Sequence, residues 1–225
     1  MSKVKSLNCI PLKDFIFCFI CLYAFPVLGQ VGSSELNFHE NLVKAAINRT
    51  HQNVTYDPSY YRLTYPGGDV PVNKGVCTDV VIRSYRQMGI DLQLEVHEDM
   101  TANFQKYPSN WGLTSTDRNI DHRRVPNLMT YFARQNAKKP ITAKATDYLA
   151  GDVVAWDLGN GITHIGIVVD KRSEQGAPFI VHNIGRGPQL EDILFNTLLS
   201  VIIDTGSKLK GCASGRKQLT DCLDF

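Results

Sequence analysis

Apolar positions in this chain follow two different periods, and the change falls near residue 140. Before it they recur at helical spacing. Phe38, Leu42, Val43, Ala46 and Ile47 make one stripe, which Ser33 or Ser34 can cap. A second helix is predicted from Asn73 to Gly89, with Asn73 as cap and Gly89 as stop. Val80, Val81, Ser84 and Met88 form its apolar face. The segment between these helices, residues 56–68, is aromatic and broken by Pro and Gly, and reads as turns. Residues 91–140 read as mostly helical, best over 94–100 and 125–133, with the polar stretch 116–124 joining them.

After Pro140 the pattern becomes strand-like. Residues 152–157 and 164–169 flank the turn Gly159-Asn160-Gly161, which predicts a hairpin. Residues 178–183 supply a third strand and 199–203 a candidate fourth. Helices first and an antiparallel sheet afterwards define an α+β fold. The chain has 225 residues and shows neither an internal repeat nor a low-complexity linker, so a single domain over 30–225 is expected.

Composition narrows the classes. With 43% hydrophobic and 20% charged residues the chain can build an ordinary core, which argues against disorder, fibres and coiled coils. The formal charge is +2, and the first 29 residues account for all of it, with Lys3, Lys5 and Lys13 against Asp14. A remainder of zero net charge, without a Lys/Arg run, gives no reason to expect a nucleic-acid partner. The same 29 residues resemble a secretory signal: lysines, the apolar run Phe15–Phe25, then Val27-Leu28-Gly29 before Gln30. An uncleaved anchor is the other reading, but the run to Leu28 is short of the ~20 residues that a span needs. The expectation is an exported protein, periplasmic or secreted, with no membrane span after cleavage.

Export changes the meaning of the cysteines. Of six, Cys9, Cys18 and Cys21 leave with the signal, and Cys212 and Cys222 could close a short loop in an oxidising compartment. Cys77 is then the odd thiol. It is either a small buried hydrophobe or a reactive group. Its place in the first turn of a helix favours an anion by ~0.3–1 kcal/mol, which lowers a thiol's pKa and favours the nucleophilic thiolate. A neighbouring imidazolium would add to that. His164 opens the second hairpin strand and His182 lies on the next, so one face of the sheet can carry both. One can pair with the thiol while the other fixes its partner's tautomer. Polar residues satisfied at strand ends are the alternative.

Gly75-Val-Cys-Thr-Asp79, a sheet beginning Ala150-Gly-Asp-Val-Val154, and Thr163-His-Ile-Gly-Ile-Val168 together resemble the NlpC-type cell-wall cysteine peptidases. That resemblance implies a papain-like fold, in which a cysteine opens a helix packed on an antiparallel sheet bearing histidine. More narrowly, blocks from Tyr56–Asp57 through Val181–Phe195 resemble an uncharacterised bacterial exported family of that clan, a domain of unknown function. The resemblance puts the nucleophile on Cys77, the base on His164 and the third polar group on His182. Thr78-Asp79 stand where the clan has a small residue and glycine. The separation of Cys77 and His164, 87 residues, exceeds that of compact members, so about 91–140 reads as a helical insertion.

Other groups carry two readings each. Asp79 is a candidate for binding a substrate amine, or an ordinary first-turn carboxylate. Arg123 and Arg124 could clamp a carboxylate of a peptide stem, or form structural ion pairs. Tyr60, Tyr61 and Trp111 could wall a cleft, or simply pack. His97, Asp99, Asp121 and His122 have the chemistry of metal ligands without a standard spacing, and the reading includes no metal and no cofactor. The expected function is a cysteine hydrolase cutting an amide bond in peptidoglycan, as stem-peptide endopeptidase or amidase. The alternative is a non-catalytic module on the same scaffold that binds cell-wall peptide or a protein partner.

Overall fold

The computed structural model describes residues 30–196 and 198–203, with side chains over 37–196 and at 203. The apparent signal segment and the pair Cys212 and Cys222 lie outside the described residues. Helix α1 (Gln30–Arg49) lays Phe38, Leu42, Val43 and Ala46 into the core, as their spacing predicts. Strand β1 (Thr55–Tyr56) then pairs in parallel with β2 (Lys74–Gly75). Helix α2 (Cys77–Gln87) follows at once.

Asn73 is therefore not the cap of α2, because the residues after it are extended and paired with β1. Val76 holds the cap position, and its N–H is satisfied by the Asp79 carboxylate reaching back at 2.7 Å. Gly89 does stop the helix: its φ of 78° is one that a side chain would strain, and Ile90 N–H closes onto Tyr85 O at 3.1 Å. Nor does α2 have a single apolar face. Residues 77–85 are all buried, since α1, the sheet and the helices after it enclose the helix.

Helix α3 (Leu92–Ala102) is capped by Asp91, whose side chain accepts from Gln93 N–H at 3.1 Å. Short 3₁₀ turns lead to α4 (Val125–Arg134), which has Pro in its first turn. Leu92, Val96, Met100, Leu128 and Phe132 from this stretch join Val81 and Tyr85 in one core cluster. The segment read as an insertion thus folds onto the common core.

Six strands make one antiparallel sheet in the order β3-β8-β4-β5-β6-β7. They are β3 (Lys138–Lys139), β4 (Val153–Asp157), β5 (Thr163–Arg172), β6 (Pro178–His182), β7 (Gln189–Glu191) and β8 (Leu198–Ile203). The expected hairpin is β4–β5, turning through Gly159, Asn160 and Gly161, all with positive φ. The fourth strand comes back on the far side of β4. Strands β3 and β7, each too short to give a period, went unforeseen. The mixed α+β architecture with helices first and an antiparallel sheet after is as expected.

Alternation along β5 separates two environments. Ile165, Ile167 and Val169 face the helices together with Val153, Ala155 and Val181. The other face carries Val154, Trp156, Val168 and Ile180, covered by Tyr148 and Leu194.

Candidate functional site

Cys77 is the first residue of α2, and 6% of it is exposed. Its sulfur lies against the edge of β5. Val168 donates its N–H to Asp152 O, on the β4 side, so by alternation Ile167 and Ile165 turn theirs toward β6. Pairing with β6 ends at Gly166 opposite His182, so no strand partner remains for Ile165. Its N–H is turned to the Cys77 sulfur instead, together with the N–H groups of Thr78 and of Cys77 itself. The thiol thus sits where β6 has left the sheet, one residue along from His164. Asn183, just past the end of β6, donates to Gly75 O at 3.3 Å and ties that strand end to the start of α2.

The histidines form a chain. His164 Nε2 lies 2.9 Å from His182 Nδ1, with the two rings at 85°. His182 Nε2 in turn lies 2.9 Å from Glu191 Oε2, and Arg186 donates to Glu191 Oε1 at 2.9 Å. Trp156, directly opposite His164 on β4, stacks on its ring at 5.5 Å. Gly166 makes room for this chain: a Cβ there would stand 2.6 Å from Ile180 Cγ2 and 3.1 Å from His182 Cβ. Both histidines share the sheet face of Trp156, as the sequence predicts for neighbouring antiparallel strands. Cys77 belongs to the helix-side cluster and meets β5 at its edge. Among the described residues no hydrogen bond joins the sulfur to His164.

Electrostatics at the site run against the sequence expectation of a thiolate. Burial pushes the Cys77 thiol up to about 12, and the N–H groups around the sulfur only moderate the rise. Burial, and then His182 beside it, hold the His164 imidazole down at about 3. His182 is lowered by burial against the opposing pull of Glu191. The resting group is a neutral thiol beside neutral imidazoles, because desolvation outweighs what the helix start contributes.

Asp79 and Arg123 face each other rather than a ligand. Arg123 Nε and Nη2 donate to Oδ1 and Oδ2 of Asp79, both at 3.0 Å, and the two side chains are 2% and 4% exposed. Arg123 also donates to Ser59 O, and Thr78 Oγ1 donates to Arg123 O. Each charge of this pair is matched inside the protein, which is the arrangement of a structural ion pair. Arg124 is matched more loosely: its Nη1 lies 3.7 Å from Asp121 Oδ1, and its guanidinium lies 4.3 Å from the centre of the half-exposed Trp111 ring. Tyr60 and Tyr61 donate to Asp117 and Asp57.

Asp99 accepts from Tyr107 and Arg134, His122 is kept neutral by burial, and Asp121 is raised by burial to about 6. Among the described residues no three His, Cys, Asp or Glu side chains gather as they would around a metal ion. A surface cavity of about 480 Å³ lies between His97 and residues 112–119, and its lining shares nothing with the Cys77–His164 group.

Two residues of the site went unread in the sequence. Glu191 ends the histidine chain. Its signal was the Gly185–Pro188 turn after His182, which sends the chain back alongside β6. Tyr56 lies within electrostatic reach of Cys77; burial first, then Cys77 and Asp79, raise its phenol above the ordinary range.

These features define an α+β protein in which a helix-borne thiol abuts the edge of a sheet carrying a buried histidine chain. Residues 43–201 match the model of a domain of unknown function, DUF1287, and the chain belongs to that family. It is 56% identical over 171 residues to "Uncharacterized protein YijF" of Escherichia coli (strain K12), covering 76% of this chain and 82% of that protein. Cys77, His164, His182 and Glu191 all lie inside the family match.

Proposed function

We propose that this protein is an exported cysteine hydrolase that cuts an amide bond in peptidoglycan, on a scaffold of the NlpC, papain-like type. The observation that carries the reading is the 2.9 Å contact of His164 with His182, one residue from the N–H that faces the Cys77 sulfur. Cys77 is the nucleophile, His164 the base, and His182 orients the base.

Because thiol and imidazole are both neutral at rest, the proton leaves as the sulfur attacks. The S–H bond breaks to His164 while sulfur bonds to the substrate carbonyl carbon, and the carbonyl oxygen takes the negative charge. The Cys77 N–H at the start of α2 is one donor toward that oxygen. Collapse returns the proton to the departing amine and leaves a thioester. Water, deprotonated by His164, then releases the acid and restores the thiol. Arg124, beside Trp111 and held only loosely by Asp121 at 3.7 Å, is the candidate for a substrate carboxylate. The net-neutral mature sequence and the signal-like N-terminus fit work on an extracytoplasmic polymer.

A second reading has its own support. A thiol that is buried, raised to about 12 and not hydrogen-bonded to His164 also suits a non-catalytic module that binds cell-wall peptide or a partner. Mass analysis of muropeptides after incubating sacculi with wild-type or Cys77→Ala protein separates the two. New fragments from the wild type alone support the hydrolase; identical digests support the binder.

A further inference from the structure

Glu191 stands at the end of the histidine chain, on β7, the short strand that pairs with β6. An ionised carboxylate can only accept hydrogen bonds. With Oε2 at 2.9 Å, the nitrogen facing it, His182 Nε2, must carry a proton. His182 is neutral, so its other nitrogen, Nδ1, has a lone pair and accepts. The group 2.9 Å from that lone pair is His164 Nε2, which must therefore donate. His164 is neutral as well, and its remaining nitrogen, Nδ1, is left with the lone pair. Each step follows from the one before, and the direction of the whole chain is set at its outer end.

We propose that Glu191 is a positioning residue: through His182 it holds His164 as the Nε2–H tautomer and leaves Nδ1 free to accept a proton. That Nδ1 then takes the Cys77 proton rests on the hydrolase reading above; the tautomer itself does not.

Arg186 adds a second constraint. It donates to Glu191 Oε1 and, having no acceptor, can face only an oxygen. In Glu191→Gln the amide oxygen is drawn to Arg186, so the NH2 group points at His182. That reverses the chain: His182 becomes Nδ1–H, its partner nitrogen on His164 must accept, and the proton of His164 moves to Nδ1, where it blocks the base. Replacing Arg186 as well, by Met, frees the amide to turn its oxygen back to His182.

The test is a two-bond ¹H–¹⁵N correlation spectrum of ¹⁵N-labelled protein near pH 7, which reads the protonated nitrogen of each histidine. It is paired with the rate of Cys77 alkylation by iodoacetamide. Wild-type His164 should be Nε2–H. Glu191→Gln should show Nδ1–H and alkylate about 10²-fold more slowly. Glu191→Gln with Arg186→Met should recover Nε2–H and much of the rate.

A folded Glu191→Gln that keeps His164 as Nε2–H overturns the proposal. So does a wild type with Nδ1–H, which decides the matter even if the variant does not fold. A switch of tautomer in a protein that leaves sacculi intact would sink the hydrolase reading and spare this one. Turnover with a tautomer indifferent to Glu191 does the opposite.

Discussion

Two buried polar groups flank the start of α2, and they are built on opposite rules. Asp79 and Arg123 are charged and saturated: two hydrogen bonds join them, and Val76 N–H and Ser59 O take further capacity. The chain His164–His182–Glu191 holds its imidazoles neutral, joins each link by a single contact, and leaves a ring nitrogen of His164 outside it. Saturation of a buried pair fixes a backbone, and here it anchors the helix start to the segment 121–123. A chain with valence to spare can pass a proton. Burial alone does not distinguish the two groups; what each has left unpaired does.

The widest expected contrast comes from cutting the saturated pair. Arg123→Met leaves Asp79 as a lone buried charge and should cost about 3–5 kcal/mol in urea unfolding. Adding Asp79→Asn should recover part of that cost. If Arg123→Met is nearly neutral, the pair is not what holds the helix start. Cys77→Ala should behave in the reverse manner, losing turnover on sacculi by at least ~10³-fold while the unfolding midpoint scarcely moves. A variant that loses stability and no activity would make the sulfur a packing atom.

Between these extremes lies Gly166→Ala. Its methyl group would meet Ile180 Cγ2, Val181 O and His182 Cβ, so a loss of about 1–3 kcal/mol is expected, with displaced His182 resonances. Unchanged histidine spectra would show that the sheet absorbs the methyl group elsewhere.

Acid acts by degrees rather than through one contact. His164 and His122 titrate near 3 in the fold, against about 6.5 for an imidazole in the unfolded chain. Below about 6.5 the unfolded chain therefore binds protons that the fold refuses. Stability should fall with pH from there toward 3, by roughly 1 kcal/mol per pH unit for each imidazole. Asp121, raised to about 6, works in the opposite sense between about 6 and 4, but it is one group against two. Thermal midpoints across pH 7 to 5 should show the fall, and His164→Gln should flatten it. A flat wild-type profile would mean that the imidazoles take up protons in the fold as readily as in the unfolded chain.

Legibility followed the length of each signal. The stripe of α1 and the β4–β5 hairpin were readable because several residues agreed on one period or one turn. The start of α2 was misread at Asn73, since a good capping residue gives no warning that two residues after it will pair with a distant Tyr56. Cys77 still fell in the first turn under either boundary. Glu191 was missed because Gln189–Glu191 is too short to show alternation. Asp79 and Arg123 each kept two readings, ligand or structural, because, 44 residues apart, nothing in the chain says that they meet.

Local order thus settled the longer helices and strands, the class of fold, and which residue types could do chemistry. Period, turn residues and side-chain chemistry are properties of a few neighbours. The partners of those residues were settled only when the sheet closed over α2. The end of β6 opened an edge for the sulfur, the register of β7 brought Glu191 to His182, and burial turned an expected thiolate into a thiol. Each of these depends on contacts between segments far apart in the chain, and on the water that those contacts exclude.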